Sequence, residues 1–414
     1  MSFLHRSGQS LDAKLLASYL AGIDPDRYKR YGGKDWILGI YNSGYAATNL
    51  SGIADQILEF AIARHIDKTL EDLRRLCRDR SLTAEERNTR VSQSLFSLTY
   101  SQRGEDLVHV AELGVRAEAD YESYLNEGDG KILIPSGFTD LDRHLGGGFE
   151  LGFTTVIAGM TSMGKTSFAL DMVLSQAEKG IPVALFTYEQ TKDQLEEQLV
   201  SKLANLPVKA FLSNAGRAAL SQQQQQALIE ARSQLANLPI YIQDAHGLSA
   251  SHLEAILRRW SLNHAQKGGA FYVDYVQRMA SYGGSVNTAN EISGAMIRLS
   301  NLALELRVNF FCLSQVTGKA IENRNDKRPT KNDIKDSSAI AETAGYLLAL
   351  HRPAYFDISL EAELKRSNRL AEAEILLLKG RRTGTGIFPV LYQYETSTFH
   401  NRAYGQEQGG YDEY

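Results

Sequence analysis

Apolar residues along this chain follow two rhythms, and the change between them falls near residue 128. Upstream, Ile57, Phe60, Ile66, Leu70, Leu73 and Leu76 recur at intervals of three, four and six residues. That spacing predicts one face of an amphipathic helix running to about Asp79. Thr83 and Glu86 then make a capping-box pair, and Val91, Leu95 and Leu98 continue an apolar face. Residues 52–101 are therefore predicted to form an antiparallel helical hairpin. A third helical stretch, "EDLVHVAELGVRAEADYESYL", runs into the glycine-rich "NEGDG", which reads as a linker helix and a flexible joint. Residues 1–50 mix glycine and tyrosine without a sustained period, apart from a short helix near "LDAKLLASYL".

Beyond the joint, short apolar runs alternate with helical patterns: "TTVIAG", "VALFTYE", "PIYIQD", "AFYVDY", "NFFCLSQ", "YLLALHR" and "EILLLKGRR". Runs without polar alternation, separated by helices, predict a mostly parallel sheet covered on both faces, so the class is α/β. "EILLLKG" and "FPVLYQY", joined by "RRTGTGI", are expected to pair as an antiparallel hairpin. The resulting division is a small all-α unit over 1–104, a linker over 105–130, an α/β domain over 131–402 and an unstructured tail over 403–414. "LSQQQQQALIEARSQLANL", despite its five glutamines, reads as an ordinary solvated helix capped by Ser221, with Leu228, Leu235 and Leu238 on one face.

Composition narrows the classes without choosing among them. The chain has 414 residues, 43% hydrophobic and 23% charged, which excludes wholesale disorder and fibrous repeats. Its two cysteines, Cys77 and Cys312, stand far apart, arguing against a disulfide framework or zinc cage and for a reducing cytoplasm. No apolar stretch reaches the roughly 18 residues of a spanning helix, and "MSFLHRSGQSLDAK" lacks signal-peptide order. The net charge is −4, so binding to nucleic acid would have to come from a local patch.

The sharpest chemical signal is "GMTSMGKTS" directly behind "TTVIA". Gly159, Gly164, Lys165 and Thr166 satisfy G-x-x-x-x-G-K-[ST], between a predicted strand and a predicted helix. In that pattern the backbone N–H groups from Gly159 through Ser162, Met163 and Gly164 to Ser167 curl around phosphate oxygens, and the helix N-terminus adds its positive end. Lys165 would reach the β- and γ-phosphates of ATP or another NTP, and the Thr166 hydroxyl would ligate Mg²⁺. Ligands of parallel sheets sit outside the carboxyl ends of the strands. Asp274 falls there and suits a metal, Glu189 suits an attacking water, and Gln315 could sense the γ-phosphate. These residues favour hydrolysis over binding alone.

Six segments taken together carry a resemblance. "GFTDLDRHLGGG", "GMTSMGKTSFAL", "LFTYEQTKDQL", "VDYVQRM", "LSQVTGKAIENRNDKRPTKNDIKDSSAIAETA" and "LLLKGRRTGTG" occur in the order of DnaB-type replicative DNA helicases. The likeness covers roughly 130–400, with a weaker likeness over the hairpin and linker helix, and the larger helical head that normally precedes the hairpin is replaced by about fifty poorly patterned residues. The resemblance implies a RecA-like ATPase domain in a homo-hexameric ring that moves 5′ to 3′ on single-stranded DNA and unwinds duplex. A primase and a helicase loader are the partners it suggests. It makes Glu189 the catalytic glutamate and Asp274 the Walker B aspartate. Lys379 and Arg381 match the family's K-x-R, which reaches into a neighbouring subunit's site, and the adjacent Arg382 leaves the register open.

DNA contacts are expected on a locally basic loop. Lys319, Arg324, Lys327, Arg328, Lys331 and Lys335 face only Glu322, Asp326 and Asp333 in composition. By resemblance "DIKDSSA" is a pore loop, placing Lys335, Asp336 and Ser338 on DNA, with Arg324 and Lys331 beside them. Lys335 replaces the family's usual arginine and Ser338 a glycine. The other DNA-facing loop, "SYGGSVNTANE", has Thr288 where an arginine often stands. A second reading stays open: a RecA-like DNA-binding ATPase that regulates or loads without separating strands.

Overall fold

The computed structural model describes residues 132–274, 288–316, 318–334 and 342–402, with Arg64, residues 67–79, 81–84, 86, 87, 89–91, Ser94 and Val110 upstream. The chain divides into two compact units, Met1–Asp106 and Leu107–Tyr414. In the first unit a helix occupies 67–78, with Leu73 as a buried position. Thr83 and Glu86 then form the predicted capping box: the Thr83 N–H donates to Glu86 at 2.9 Å and the Glu86 N–H to the Thr83 hydroxyl at 3.2 Å. Arg87 reaches back to the carbonyls of Asp79, just past the end of the first helix, and Leu82, in the turn that follows, at 2.8 and 3.0 Å. The linker helix, apart from Val110, the first fifty residues and the 403–414 tail lie outside the described residues.

The second unit is built on one nine-stranded sheet. A short antiparallel pair, β1 (Leu133–Ile134) and β2 (Phe149–Glu150), flanks α1 (Thr139–His144). Then follow β3 (Thr154–Gly159), α2 (Lys165–Glu178), β4 (Val183–Thr187), α3 (Lys192–Ala204), α4 (Lys209–Leu212), α5 (Asn214–Ala218) and α6 (Gln222–Ala236). The chain continues through β5 (Ile240–Asp244), α7 (Ala250–His264), β6 (Ala270–Asp274), α8 (Thr288–Leu306), β7 (Asn309–Gln315) and α9 (Gly318–Glu322). It ends with β8 (Tyr346–His351), α10 (Ile358–Ser367), β9 (Ala371–Gly380), β10 (Gly386–Gln393) and β11 (Thr398–Asn401).

In the order β11-β10-β9-β8-β3-β7-β6-β4-β5 the strands from β8 to β5 run parallel, and β9, β10 and β11 add antiparallel neighbours. The burial of each strand follows its place. β3, β4, β6 and β8 are buried at every position, whereas β10 alternates and edge strand β5 is never fully buried. Strands covered by helices on both faces lose the alternation that a one-sided sheet keeps. The predicted hairpin is present, and β11 extends it by a strand that the sequence pattern does not announce.

Aromatic pairs fix the register of the central strands. Phe271 and Tyr272 of β6 lie opposite Phe310 and Phe311 of β7, stacked at 4.7 and 4.5 Å; each such pair contributes about 0.5–1.5 kcal/mol beyond its buried area. The fully buried Gln176 locks α2 down: its amide donates to the Pro135 carbonyl and accepts from the Tyr272 hydroxyl, both at 2.9 Å. A buried amide with both ends bonded avoids the cost of an orphaned polar group. The glutamine-rich helix α6 has the Ser221 capping box, completed by Gln224, and packs Leu228 and Leu235 against Val200 and Phe211.

Candidate active site

Because β3, β4, β6 and β7 are parallel, their carboxyl ends open on one edge of the sheet, and Gly159, Thr187, Asp274 and Gln315 are the residues that end them. Gly159 and Gln315 are register partners, as are Thr187 and Asp274. Backbone bonds carry the pairing one residue further: the Val316 N–H donates to Gly159 at 3.3 Å and the Tyr188 N–H to Asp274 at 2.7 Å. Three predicted functional residues, Gly159, Asp274 and Gln315, are thereby gathered by sheet geometry alone, with Thr187 beside them.

The loop between β3 and α2 has an unusual backbone. Gly164 has φ of 100° and Ser162, although not glycine, has φ of 61°, a region L-residues enter at a cost. At Gly159 a β-carbon would stand 3.2 Å from the Lys165 side chain, so glycine leaves the lysine room to lie across its own loop. Lys165 does so, donating to the carbonyls of Gly159 and Met160, both at 3.0 Å. Gly164 supplies no side-chain cap to α2, and the first turn holds no acidic residue. The helix therefore presents its N–H groups to an incoming anion, unlike α3, whose Thr191 and Gln194 close a capping box.

Charge is concentrated at the mouth of this loop. The Thr166 hydroxyl donates to Asp274 Oδ2 at 2.7 Å. Burial pushes the Asp274 carboxyl up to about 6; the Thr166 bond opposes that rise, the charge on Glu189 adds to it, and Lys165 works against it. Burial also pulls the Lys165 ammonium down, against the pull of Asp274 and Glu189. A hydroxyl and a carboxylate are hard oxygen donors, the chemistry that suits Mg²⁺ held together with phosphate and water. Among the described residues no group of three or more His, Cys, Asp or Glu side chains is placed to hold an ion.

Glu189 differs from its sequence placement in one respect. β4 ends at Thr187, and Glu189 stands in the turn beyond it with its side chain exposed. The Thr187 hydroxyl shapes that turn, donating to the Gln190 carbonyl at 2.9 Å and accepting the Gln190 N–H at 3.0 Å. Gln315 donates to the Thr161 hydroxyl inside the phosphate loop. Thr187, Thr161 and Tyr188 are site residues that motif reasoning passes over. A buried threonine at a strand end was the available signal for the first, and the other two carry none.

Lys379 and Arg381 lie elsewhere. The end of β9 pairs with the start of β8, Gly380 opposite Tyr346, and the Arg381 guanidinium lies 4.6 Å over the ring of Phe153, just before β3. From Phe153 to Gly159 is about 20 Å of extended chain, so neither side chain meets its own phosphate loop. Arg382, with φ of 71°, turns to Glu150 at 3.6 Å. The two arginines thus diverge. Lys379 donates to the Glu342 carbonyl at 3.1 Å, and burial, with the nearby charges of Lys331 and Arg381, lowers its pKa.

Of the expected DNA contacts, Lys335, Asp336 and Ser338 lie outside the described residues, as does most of "SYGGSVNTANE". Arg324 forms a two-pronged pair with the buried Asp333, and Arg328 another with Glu374 at 2.6 and 2.7 Å. Both arginines tie the loop to its surroundings. Lys331 is exposed, within electrostatic range of Lys379. Among the described residues no helix is long and apolar enough to cross a membrane.

The DnaB-like helicase C-terminal domain matches residues 133–401. The replicative DNA helicase DnaB of Nostoc sp. is 29% identical over 338 residues, 81% of this chain and 37% of that protein, so the chain spans little more than a third of this relative. The replicative DNA helicase DnaC of Bacillus subtilis is 27% identical over 403 residues, 97% of this chain and 85% of that protein. A solved ATPase domain superposes with a TM-score of 0.64 at 26% identity, covering 72% of this chain and all of that one. A DnaB-like replicative helicase solved in a study of its interactions with primase gives 0.65 at 23% identity, over 97% of this chain and 90% of that one, and this match speaks to fold. With two-thirds of its length matched to the family and the phosphate-loop edge assembled as described, this chain belongs to the DnaB-like helicases.

Proposed function

We propose that the chain is an ATP-dependent replicative-type DNA helicase, a homo-hexameric ring that moves 5′ to 3′ along single-stranded DNA and separates duplex ahead of it. The observation that carries this is the split between Lys165, Thr166, Asp274 and Glu189 at one edge of the sheet and Arg381 at the other. A finger about 20 Å of strand away from its own loop has a use only on the loop of another copy. The Gly159–Ser167 backbone and Lys165 bind the triphosphate, and Thr166 and Asp274 hold Mg²⁺. The ion neutralises charge on the phosphate oxygens when bound. Glu189 orients a water and takes its proton; Arg381, with Lys379, stabilises the charge that develops on the transferred group.

DNA is assigned to the loop from Lys319 to Ser338, with Lys331, Lys335, Asp336 and Ser338 along the strand and Arg324 bracing them. The bridge between Val316 and Ile334 joins the base of that loop to the residue following Gln315. Hydrolysis and the DNA loop therefore share backbone. A primase, with which that DnaB-like helicase was studied, is taken as a partner of the ring, and a helicase loader is taken as a second from the family resemblance alone. The all-α unit is taken as 1–104 and the ATPase domain as 131–402.

A forked substrate tests the proposal. Purified protein with ATP and Mg²⁺ should displace the strand of a duplex bearing a 5′ single-stranded tail. DNA-stimulated hydrolysis with no strand displaced on any tailed duplex would transfer the assignment to a regulatory or loading ATPase.

A further inference from the structure

A second constellation lies behind the phosphate loop, and the hydrolysis chemistry does not use it. Asp171 stands on α2 and Lys202 on α3, their side chains 10% and 3% exposed, and they meet at 2.7 Å. The pair also grips a third segment. Lys202 Nζ donates to the Ser397 carbonyl at 2.7 Å, and the other Asp171 oxygen accepts the Phe399 N–H at 2.8 Å. Carbonyl, ammonium, carboxylate and amide thus run in one buried chain that pins the turn before β11, where Ser397 has φ of 53°, onto two helices.

β11, which follows that turn directly, carries Phe399. Its buried ring packs edge-on against Phe168 of α2 at 5.5 Å and tilted against Tyr392 of β10 at 4.8 Å. Its edge also lies against the phosphate loop: a β-carbon at Gly164 would stand 3.2 and 3.3 Å from two of its ring atoms. Gly164 directly precedes Lys165 and brings no side chain of its own. The Phe399 ring, with the Tyr392 ring next to it, is the side-chain packing that faces Gly164.

Two readings compete for the ion pair. As plain glue it is a poor choice, since desolvating two charges costs about what their attraction returns, and an apolar pair would join α2 to α3 as well. Burial pushes the Asp171 carboxyl up to about 6, opposed by Lys202, and pulls the Lys202 ammonium down, so the charged state is expensive here. What an apolar pair could not do is hold an N–H and a C=O of the third segment at once. We infer that Asp171 and Lys202 are positioning residues for nucleotide binding: by gripping Ser397 and Phe399 they seat the Phe399 ring against Gly164 and set the phosphate loop. The inference rests on Gly159–Ser167 being the triphosphate site.

The experiment compares Asp171→Asn, Lys202→Met, Lys202→Arg and Phe399→Leu with Leu257→Ala, a cavity variant in the buried face of α7, and with Lys165→Ala. Each full-length protein is assayed below its melting temperature for affinity toward a fluorescent ATP analogue, for KM and kcat, and for Tm. Asp171→Asn, Lys202→Met and Phe399→Leu are expected to weaken analogue binding and raise KM about 5- to 20-fold with kcat changed less than about threefold. Lys202→Arg should recover most of the affinity, while Leu257→Ala should lower Tm and leave KM unchanged. Should Phe399→Leu and Asp171→Asn lower Tm like Leu257→Ala yet bind the analogue as the parent does, the pair is structural and the inference is wrong. Equal binding by the parent and Lys165→Ala would instead remove the triphosphate site itself, and the inference with it.

Discussion

Thr166 and Asp274, 108 residues apart, share a hydrogen bond of 2.7 Å. One residue stands in the first turn of α2 and the other ends β6. The bond places a buried carboxylate against a hydroxyl, and among the described residues the positive charge acting on it, that of Lys165, is only the last of the influences on its pKa. Such a group suits an ion that arrives with a ligand and is poorly suited to an empty site.

Asp274→Asn should therefore stabilise the nucleotide-free protein while abolishing hydrolysis. The folded carboxyl titrates at about 6 against an ordinary 3.8, so the folded state keeps this proton where the unfolded chain has lost it. Stability contributed by Asp274 is present below about 3.8 and is lost as pH rises toward about 6. The variant's advantage should grow across that window to on the order of 2–3 kcal/mol and stay level above it. Denaturant melts of both proteins at stepped pH check this; a constant difference would refute it.

Glu189 is exposed and held by the turn that Thr187 shapes. Glu189→Gln keeps the shape and removes the base, so kcat should fall about 10²- to 10⁴-fold with little change in affinity for ATP. Thr187→Val frees the turn and should cost kcat roughly tenfold. Steady-state hydrolysis alongside analogue binding separates the two outcomes.

Arg381 lies at the opposite end of β3 from Lys165, so the two residues should complement each other between copies. Arg381→Ala alone should lose about 10³-fold or more in kcat, as should Lys165→Ala. Mixed rings, however, contain interfaces with both residues intact and should regain part of the activity. Hydrolysis measured across mixing ratios checks this, and a mixture as inactive as its components would place both residues in one copy's site. Arg382→Ala, on a residue turned toward Glu150, should cost much less.

What the sequence made legible was what local spacing controls. The glycines and lysine of the phosphate loop announce themselves because backbone curl, lysine reach and helix N-terminus all lie within nine residues. The parallel strands show as unbroken apolar runs because both faces are covered. The apolar pattern does not announce α10, although its ends are marked: Asp357 caps Ser359 and Leu360, and Asn368 closes the helix with φ of 48°. Its interior is too polar to show an apolar face. β11 has four residues and no period of its own, and its place comes from pairing with β10 and from Asn401 bonding to Gly137 and Thr139. Asp171 and Phe399 are 228 residues apart, and nothing in either neighbourhood points to the other.

The basic loop offers a last test, because its cations are not equivalent. Both terminal nitrogens of Arg324 go to Asp333, which also accepts the N–H and hydroxyl of Thr330, while Lys331 is exposed. A lysine that neutralises one phosphate releases its counterion, so Lys331→Ala should weaken single-stranded DNA binding evenly across sequences and lower the salt slope by about 1. Arg324→Ala instead leaves Asp333 buried without its cation. It should lower Tm, and any loss of DNA affinity should come with little change in salt slope. Binding titrations at several salt concentrations distinguish the two variants; an equal change of slope in both would show that Arg324 leaves Asp333 for the phosphate when DNA binds.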